Sequence, residues 1–369
     1  MDKRILLVGN SEMVIFKFRR ELIESLRQNG WEVYVSFPKT VFGNGSDTAE
    51  QYGCIYLETL MSSHGTNPTK DFSLLQNYKK ILREIKPNAI LTFTIKPNIY
   101  GVIAAKAYGV PCIMNVSGLG TAVEQPGILQ LITTTLYRIA VSRAQTVFFQ
   151  NTENENFFKV RHIADGKRKL LPGSGVNLNQ FRVLDYPKGN TIDFLFMARI
   201  LKEKGIDQYL EAAKAVHDAH PKTIFHVLGA CDDEAYLEKF KIAEREGYLH
   251  YHGQQANVLP FQKINACTIH PTYYPEGMSN VLLESAACGR PIITTDRSGC
   301  REIIDNGTNG FICRQKDSAD LIKQIEKFLA LTWEQRRNMG LAGRAKVERE
   351  FDRRIVLQAY MDEIKAAIE

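Results

Sequence analysis

Short apolar runs rich in Val, Ile and Phe alternate along the chain with segments in which apolar residues recur at helical spacing. A short apolar run bounded by turn residues suits a strand buried on both faces, and the amphipathic segments between such runs suit crossover helices. The pattern predicts strands at 5–8, 32–36, 89–93, 112–116 and 146–150, with helices over 16–27 and 74–85 among those between them. The polar stretch Asp185-Tyr186-Pro187-Lys188-Gly189-Asn190 reads as a linker. A second series of strands follows at 194–198, 224–228, 249–252, 268–270 and 292–294. Repeated strand–helix–strand units imply parallel sheets, so the expected class is α/β with two doubly wound domains, 1–185 and 186–352. A last helix, about 353–369, follows a polar break at Asp352 and is free to pack on either domain.

The length, 369 residues, accommodates two such domains, and 44% apolar with 24% charged residues excludes a disordered chain. The most apolar window, 128–141, is interrupted by Gln130, three threonines and Arg138, so no spanning helix is expected. The N-terminus runs directly into a strand pattern without a long apolar region, which implies a cytoplasmic protein. Seven scattered cysteines form no CxxC pair and read as buried thiols. His250 and His252 share a strand face; two ligands fall short of a metal site, and a packed or solvated pair is the expectation.

Charge is uneven. Residues 1–185 hold 22 Lys and Arg against 15 Asp and Glu, a net +7, whereas residues 186–369 hold 25 against 26, a net −1. A basic half suits an anionic partner, whether phosphate, membrane surface or nucleic acid.

In doubly wound domains ligands lie beyond the C-terminal ends of strands, where helix N-termini attract phosphate. After the first strand stand Gly9 and Asn10 without a GxGxxG pattern, which argues against a nicotinamide dinucleotide. The strand at 194–198 delivers Arg199 and then Lys204, either a diphosphate clamp or a solvated helix start. The segment His270 to Glu284 carries most chemistry. Glu276 and Gly277 precede an expected helix start at Met278, Ser279 and Asn280, whose N–H groups could meet an anion. Glu284 lies within that helix, and carboxylates such as Glu276 and Glu284 accept hydrogen bonds from vicinal hydroxyls of a sugar or ribose.

Arg199 with Lys204, Glu276 eight residues before Glu284, the run ESAACGRPIITT, and Gly299 to Gly307 ahead of Asn309-Gly310-Phe311 together resemble the retaining family 4 glycosyltransferases. The resemblance runs through nearly the whole chain and implies the GT-B fold, two Rossmann-like domains facing across a cleft, the first for the acceptor and the second for a nucleotide sugar. It implies that Arg199 and Lys204 bind the donor diphosphate, Glu284 the ribose, and Glu276 the transferred sugar. Gly277, Met278, Ser279 and Asn280 would line the same place and Val258 would flank the base. The runs 92–101 and 116–122 resemble the branch that builds lipid-linked, capsular or exopolysaccharide glycans. Many members carry an imidazole where this chain has Ile95 and Lys96, so Lys96 becomes the sugar-facing candidate, with Gly9, Asn10, Asn98 and Gly118 nearby.

The resemblance implies a UDP-sugar donor carrying a hexose, N-acetylhexosamine or uronic acid, transfer with retention, and no metal or other cofactor, the leaving diphosphate being stabilised by Arg199, Lys204 and the helix start. Asp232-Asp233 reads as a solvated turn rather than a metal-binding pair. Glu276 suits hydroxyl binding better than covalent attack, which favours a front-side path in which the departing phosphate oxygen takes the acceptor's proton. In the first domain Lys17, Arg19, Arg20, Lys79, Lys80, Arg83, Lys86, Arg161, Lys167, Arg168 and Lys169, with Phe16, Phe18 and Tyr78, form either a solubilising face or one that rests on an anionic membrane bearing a polyprenyl diphosphate acceptor. The second option implies peripheral association with the inner face of the cell membrane. Two alternatives differ in kind: an epimerase of the same shape acting on the nucleotide sugar alone, and a nucleic-acid-binding protein. The latter lacks an aromatic RNA-binding signature, a helix-turn-helix cue and a lysine-rich tail.

Overall fold

The computed structural model describes residues 3–39, 45–61, 67–120, 123 and 126–369. The chain divides into two units, residues 1–174 with 355–369, and residues 175–354.

The first unit is built on seven strands: β1 Arg4–Val8, β2 Glu32–Phe37, β3 Ile55–Glu58, β4 Ala89–Phe93, β5 Cys112–Val116, β6 Thr146–Phe149 and β7 Arg168–Leu170. Their order is β3-β2-β1-β4-β5-β6-β7 and every neighbouring pair is parallel. The order reverses between β1 and β4, so their exit loops open the crevice at which ligands meet doubly wound sheets. The central strands are buried on both faces, which is why they read as continuous apolar runs. Strands β3 and β7 are additional to the predicted strands; they are partly exposed edge strands of four and three residues, too short to set a pattern.

The predicted helix 16–27 is two helices, Glu12–Phe16 and Arg20–Gln28. Between them Arg19 leaves the helical conformation and turns inward, its guanidinium 4.4 Å from the Phe93 ring centre and donating to Ser174 Oγ at 3.0 Å. The other predicted helix lies within Pro68–Ile85, started by the Asn67 side chain accepting from Thr69 N and by Pro in the first turn.

The second unit holds β8 Ile192–Met197, β9 Thr223–Leu228, β10 Leu249–Tyr251, β11 Cys267–His270, β12 Ile292–Thr295 and β13 Gly310–Cys313, in the order β10-β9-β8-β11-β12-β13 and again all parallel. Here the order reverses between β8 and β11. Strand β13 is a further addition to the predicted set; it begins at Gly310, where a Cβ would lie 2.1 Å from the Ile292 carbonyl oxygen of β12.

The boundary falls earlier than the expected 185. Val176 and Phe181 pack with Leu282, Leu283 and Val347, and Leu184 N donates to Cys288 O. The buried Arg290 guanidinium donates to the carbonyls of Gln262, Leu184 and Asp185 and so ties the polar stretch to the second unit. After Asp352 pairs with Val176, the helix Arg353–Ile368 sends Val356, Tyr360 and Ile364 into the core of the first unit beside Phe93 and Phe148. Glu363 on this helix binds Thr146 Oγ1 and the Lys169 ammonium.

Tyr360 joins the ends of the first unit through edge-to-face contacts with Phe93 (6.1 Å) and Phe148 (5.3 Å) and a hydrogen bond from Asn115. Tyr360→Ala is expected to cost about 3–5 kcal/mol. The check is urea unfolding followed by circular dichroism, in which the transition of the first unit should move to lower denaturant while that of the second stays in place.

Candidate functional site

The site in the second unit forms where β8 and β11 end side by side. Beyond β8 a single tight turn, Lys202–Lys204, leads through Gly205 into the helix Ile206–Ala219. Gly205 has φ +80° and its missing Cβ would lie 2.1 Å from Pro271 O, so only glycine lets this turn lie against the chain leaving β11. The two segments are then zipped: Tyr273 N donates to Glu203 O at 2.9 Å and Thr272 Oγ1 to the same oxygen at 3.2 Å.

This closeness delivers Lys204 to two partners. Its ammonium sits 4.5 Å from the centre of the Tyr274 ring and pairs with the Glu276 carboxylate, the side chains being 12% and 15% exposed. Burial acts to raise the Glu276 pKa, but the facing His270 imidazole and the Lys204 charge outweigh it and hold the carboxyl at about 2. His270 is itself buried at the end of β11, with Nε2 3.9 Å from Glu276 Oε1; burial, aided by Lys204, pushes its pKa below 6.5 against the pull of Glu276. The result is an ionised carboxylate and a cation in one half-closed place.

The loop that carries Glu276 is tied down from β12. Ser279 N donates to Gly299 O at 2.8 Å, and Glu302 accepts from Gly299 N (2.7 Å) and Ser298 Oγ (2.8 Å). Gly299, at φ +85°, leaves no room for a Cβ, which would stand 2.7 Å from Gly277 O and 3.0 Å from Glu276 Cβ. One expectation is thereby corrected: the Ser279 N–H is committed to Gly299 and is not offered to an anion. The helix Asn280–Ala287 starts here, and its first-turn N–H groups have no partner within the helix, which leaves an anion-attracting end. Glu284 is buried on this helix, while Met278 is buried in the apolar cluster against which Val258 packs. Arg199 is exposed just beyond β8 and makes no ion pair with a described residue. Its loop presses on that of β9, because the Cβ missing from Gly229, φ +154°, would fall 1.7 Å from Ala198 O.

No local pattern gives His270 or Tyr274 a role or marks Glu302 as the brace of the Glu276 loop. The only sequence signal for His270 and Tyr274 is proximity to Glu276; the ring contact and the brace are tertiary.

At the switch point of the first unit, Gly9 N donates to Ser36 O at 3.0 Å and Asn10 is exposed. Beyond β4, Thr94 adopts φ +75°, a conformation β-branched residues rarely take, and a wide helical turn, Pro97–Gly101, follows. Lys96 is engaged: its ammonium lies 3.0 Å from Asp71, which also accepts from Tyr100 at 3.0 Å. Asn98 is fully buried and its amide donates to Asn115 O at 2.8 Å, so it braces β5 rather than facing a sugar. Gly118 is partly exposed just beyond β5, while Thr121 and Ala122 of the motif lie outside the described residues. The basic and aromatic face expected in this half loses three members, since Phe16, Arg19 and Tyr78 are buried, while Lys17, Arg20, Lys80, Arg83 and Lys86 are exposed. In the second unit His252 bonds His226 at 3.0 Å, which bonds Asp193 at 2.9 Å, and His250 stacks on the same ring, so the histidine pair belongs to a packed cluster.

Gly299→Ala is expected to destabilise the second unit by about 1–3 kcal/mol through forced strain and displacement of the Glu276 loop. Thermal unfolding monitored by circular dichroism checks it, with Gly307→Ala, a positive-φ glycine with open space around its Cβ position, as the milder comparison.

Comparison with known proteins bears on the family and the fold. The family model described as "Glycosyl transferase 4-like" matches residues 4–151, and the one described as "Glycosyl transferases group 1" matches residues 183–346. An N,N'-diacetylbacillosaminyl-diphospho-undecaprenol alpha-1,3-N-acetylgalactosaminyltransferase of Campylobacter jejuni is 25% identical over 379 residues, covering 97% of this chain and 97% of that protein. A UDP-Gal:alpha-D-GlcNAc-diphosphoundecaprenol alpha-1,3-galactosyltransferase of Escherichia coli is 24% identical over 278 residues, 69% of this chain and 70% of that one. Among solved structures, HepE of Anabaena in complex with UDP and glucose superposes with a TM-score of 0.81 at 16% identity, over 99% of this chain and 100% of that one. With both halves matched in chain order and two parallel-sheet α/β domains of the GT-B kind, this chain belongs to the glycosyltransferase family.

Proposed function

We propose that the protein transfers a sugar, with retention of configuration, from a UDP-sugar to a polyprenyl-diphosphate-linked glycan during synthesis of a cell-surface polysaccharide. The observation that carries this reading is the Lys204–Glu276 pair beside the open N-terminus of the helix Asn280–Ala287. A cation and a helix end suit a diphosphate, and an ionised carboxylate suits the hydroxyls of the attached sugar. The acceptor class is supported by the names of the Campylobacter and Escherichia relatives, which both act on diphospho-undecaprenol-linked sugars. The donor nucleotide is supported by the UDP in the Anabaena structure and by the UDP-galactose of the Escherichia enzyme.

In this reading Lys204, poised against Glu276, also reaches the diphosphate as its charge grows, and Arg199 adds a planar fork from solvent. Glu276 holds sugar hydroxyls and Glu284 the ribose. The leaving phosphate oxygen takes the proton of the attacking hydroxyl, so the anomeric carbon exchanges one oxygen for another on the same face and the charge of the released UDP is met by side chains. The acceptor is placed on the first unit.

A saturating ligand stabilises the folded state by RT ln(1 + [L]/Kd), about 2.7 kcal/mol at a hundredfold excess over Kd. UDP should therefore raise the thermal midpoint of the wild type, and Lys204→Ala and Glu284→Ala should each remove most of that rise. No rise with any nucleotide would exclude the donor site proposed. Under turnover, Lys204→Ala should lower kcat by about 10²–10³-fold. Mass spectrometry of the wild type incubated with donor should find no covalent sugar adduct; an adduct lost in Glu276→Gln would replace the front-side path with a nucleophilic one. Donor incubated without acceptor should return unepimerised by NMR.

A further inference from the structure

Facing inward, the helix Ile128–Val141 buries Thr133, Tyr137, Ala140 and Val141, with Tyr137 edge-on to Phe158 at 5.2 Å. The outward face of such a surface helix is ordinarily polar. Here it carries Ile128, Leu131, Ile132 and Ile139, which are 79%, 68%, 48% and 41% exposed, with Leu129 on its flank. Positions 128, 132 and 139 share one stripe at helical spacing, so the exposed aliphatic groups are contiguous. Contiguous exposure of this kind marks a surface that something else covers.

The charge around the stripe indicates what covers it. From Pro126 to Thr152 the sequence has no Asp or Glu, while Arg138 and Arg143 stand exposed beside the stripe. Neither guanidinium meets a carboxylate among the described residues: Arg138 donates to the Arg161 carbonyl at 3.2 Å and Arg143 to that of Ile139 at 2.7 Å. The end of the helix is fastened by Lys167, whose ammonium donates to the carbonyls of Ser142 (3.1 Å) and Ala144 (2.7 Å). A second copy pairing symmetrically through this face would set the same arginines against one another. A bilayer with anionic headgroups satisfies both features, with aliphatic side chains at the acyl boundary and guanidinium groups on lipid phosphates.

We propose that the outward face of the helix Ile128–Val141 docks the protein on an anionic membrane surface. The proposal deepens the lipid-linked-acceptor reading and rests on it for its purpose, since it would hold the first unit where such an acceptor resides.

Flotation of the purified full chain with vesicles tests it, using phosphatidylcholine alone and phosphatidylcholine mixed with phosphatidylglycerol. The wild type should float with the anionic vesicles and stay down with the neutral ones. Ile128→Asn combined with Ile132→Asn, and separately Arg138→Gln combined with Arg143→Gln, should each weaken flotation roughly tenfold or more. Unchanged circular dichroism melts would show that the variants fold. Absence of wild-type flotation with anionic vesicles overturns the proposal, and so does undiminished flotation of the Ile128/Ile132 variant. A dimer in light scattering that this variant dissolves, without vesicle binding, assigns the face to a second copy instead. The UDP-induced thermal shift, measured on the same preparations, should persist in both variants. Its absence in the wild type with flotation intact would fell the transferase reading and leave the docking face standing.

Discussion

The meeting of the β8 and β11 exit loops is the constraint on which the chemistry of the second unit depends. A lysine and a glutamate so little exposed would each be costly alone. They are tolerated because Gly205 and the Tyr273–Glu203 and Thr272–Glu203 bonds bring one turn onto the other, so that each charge finds its partner as it loses water. The Tyr274 ring covers the ammonium from one side and His270 backs the carboxylate from another. A site assembled in this way is organised before any ligand arrives, with its charged groups already oriented.

Glycines and one brace transmit that order to the neighbouring loop. Gly299 admits the Glu276–Gly277 segment to a distance no other residue permits, and Glu302 holds Gly299 in place through its backbone N–H. The same economy is absent at the switch point of the first unit. There Thr94 carries unusual backbone geometry, Lys96 is satisfied by Asp71, and Asn98 is spent on bracing β5. The Lys204–Glu276 ion pair lies in the second unit, whereas the first offers the exposed Asn10, the partly exposed Gly118 and a helix with an exposed aliphatic face.

Local pattern and tertiary context diverge at identifiable residues. The central strands were legible because burial on both faces makes them continuous apolar runs; β3, β7 and β13 were not, being short strands with partly exposed or glycine-led sequences. Arg19 reads as a surface cation on a helix, yet it stacks on Phe93, since an arginine's planar group can pack against an aromatic ring while one of its nitrogens donates to a hydroxyl, here that of Ser174. Val176 and Phe181 precede the polar stretch that looks like a linker, yet their packing assigns the whole stretch to the second unit.

By itself the sequence determined the α/β class and the two series of strands and singled out Arg199, Lys204, Glu276 and Glu284 as candidates, because these depend on local periodicity and on residue types at fixed separations along one chain. Tertiary structure alone decided which of those groups meet. Lys204 and Glu276 lie on different loops, and only the parallel pairing of β8 with β11 sets them side by side. It likewise decided that the Ser279 N–H is already spent, that Asn98 is interior, that the last helix closes the first unit, and that the apolar residues of 128–141 point both inward and out. The physical reason is common to all of these. Hydrogen-bond commitment and burial are properties of contacts between segments distant along the chain, and periodicity within a segment does not encode its partner.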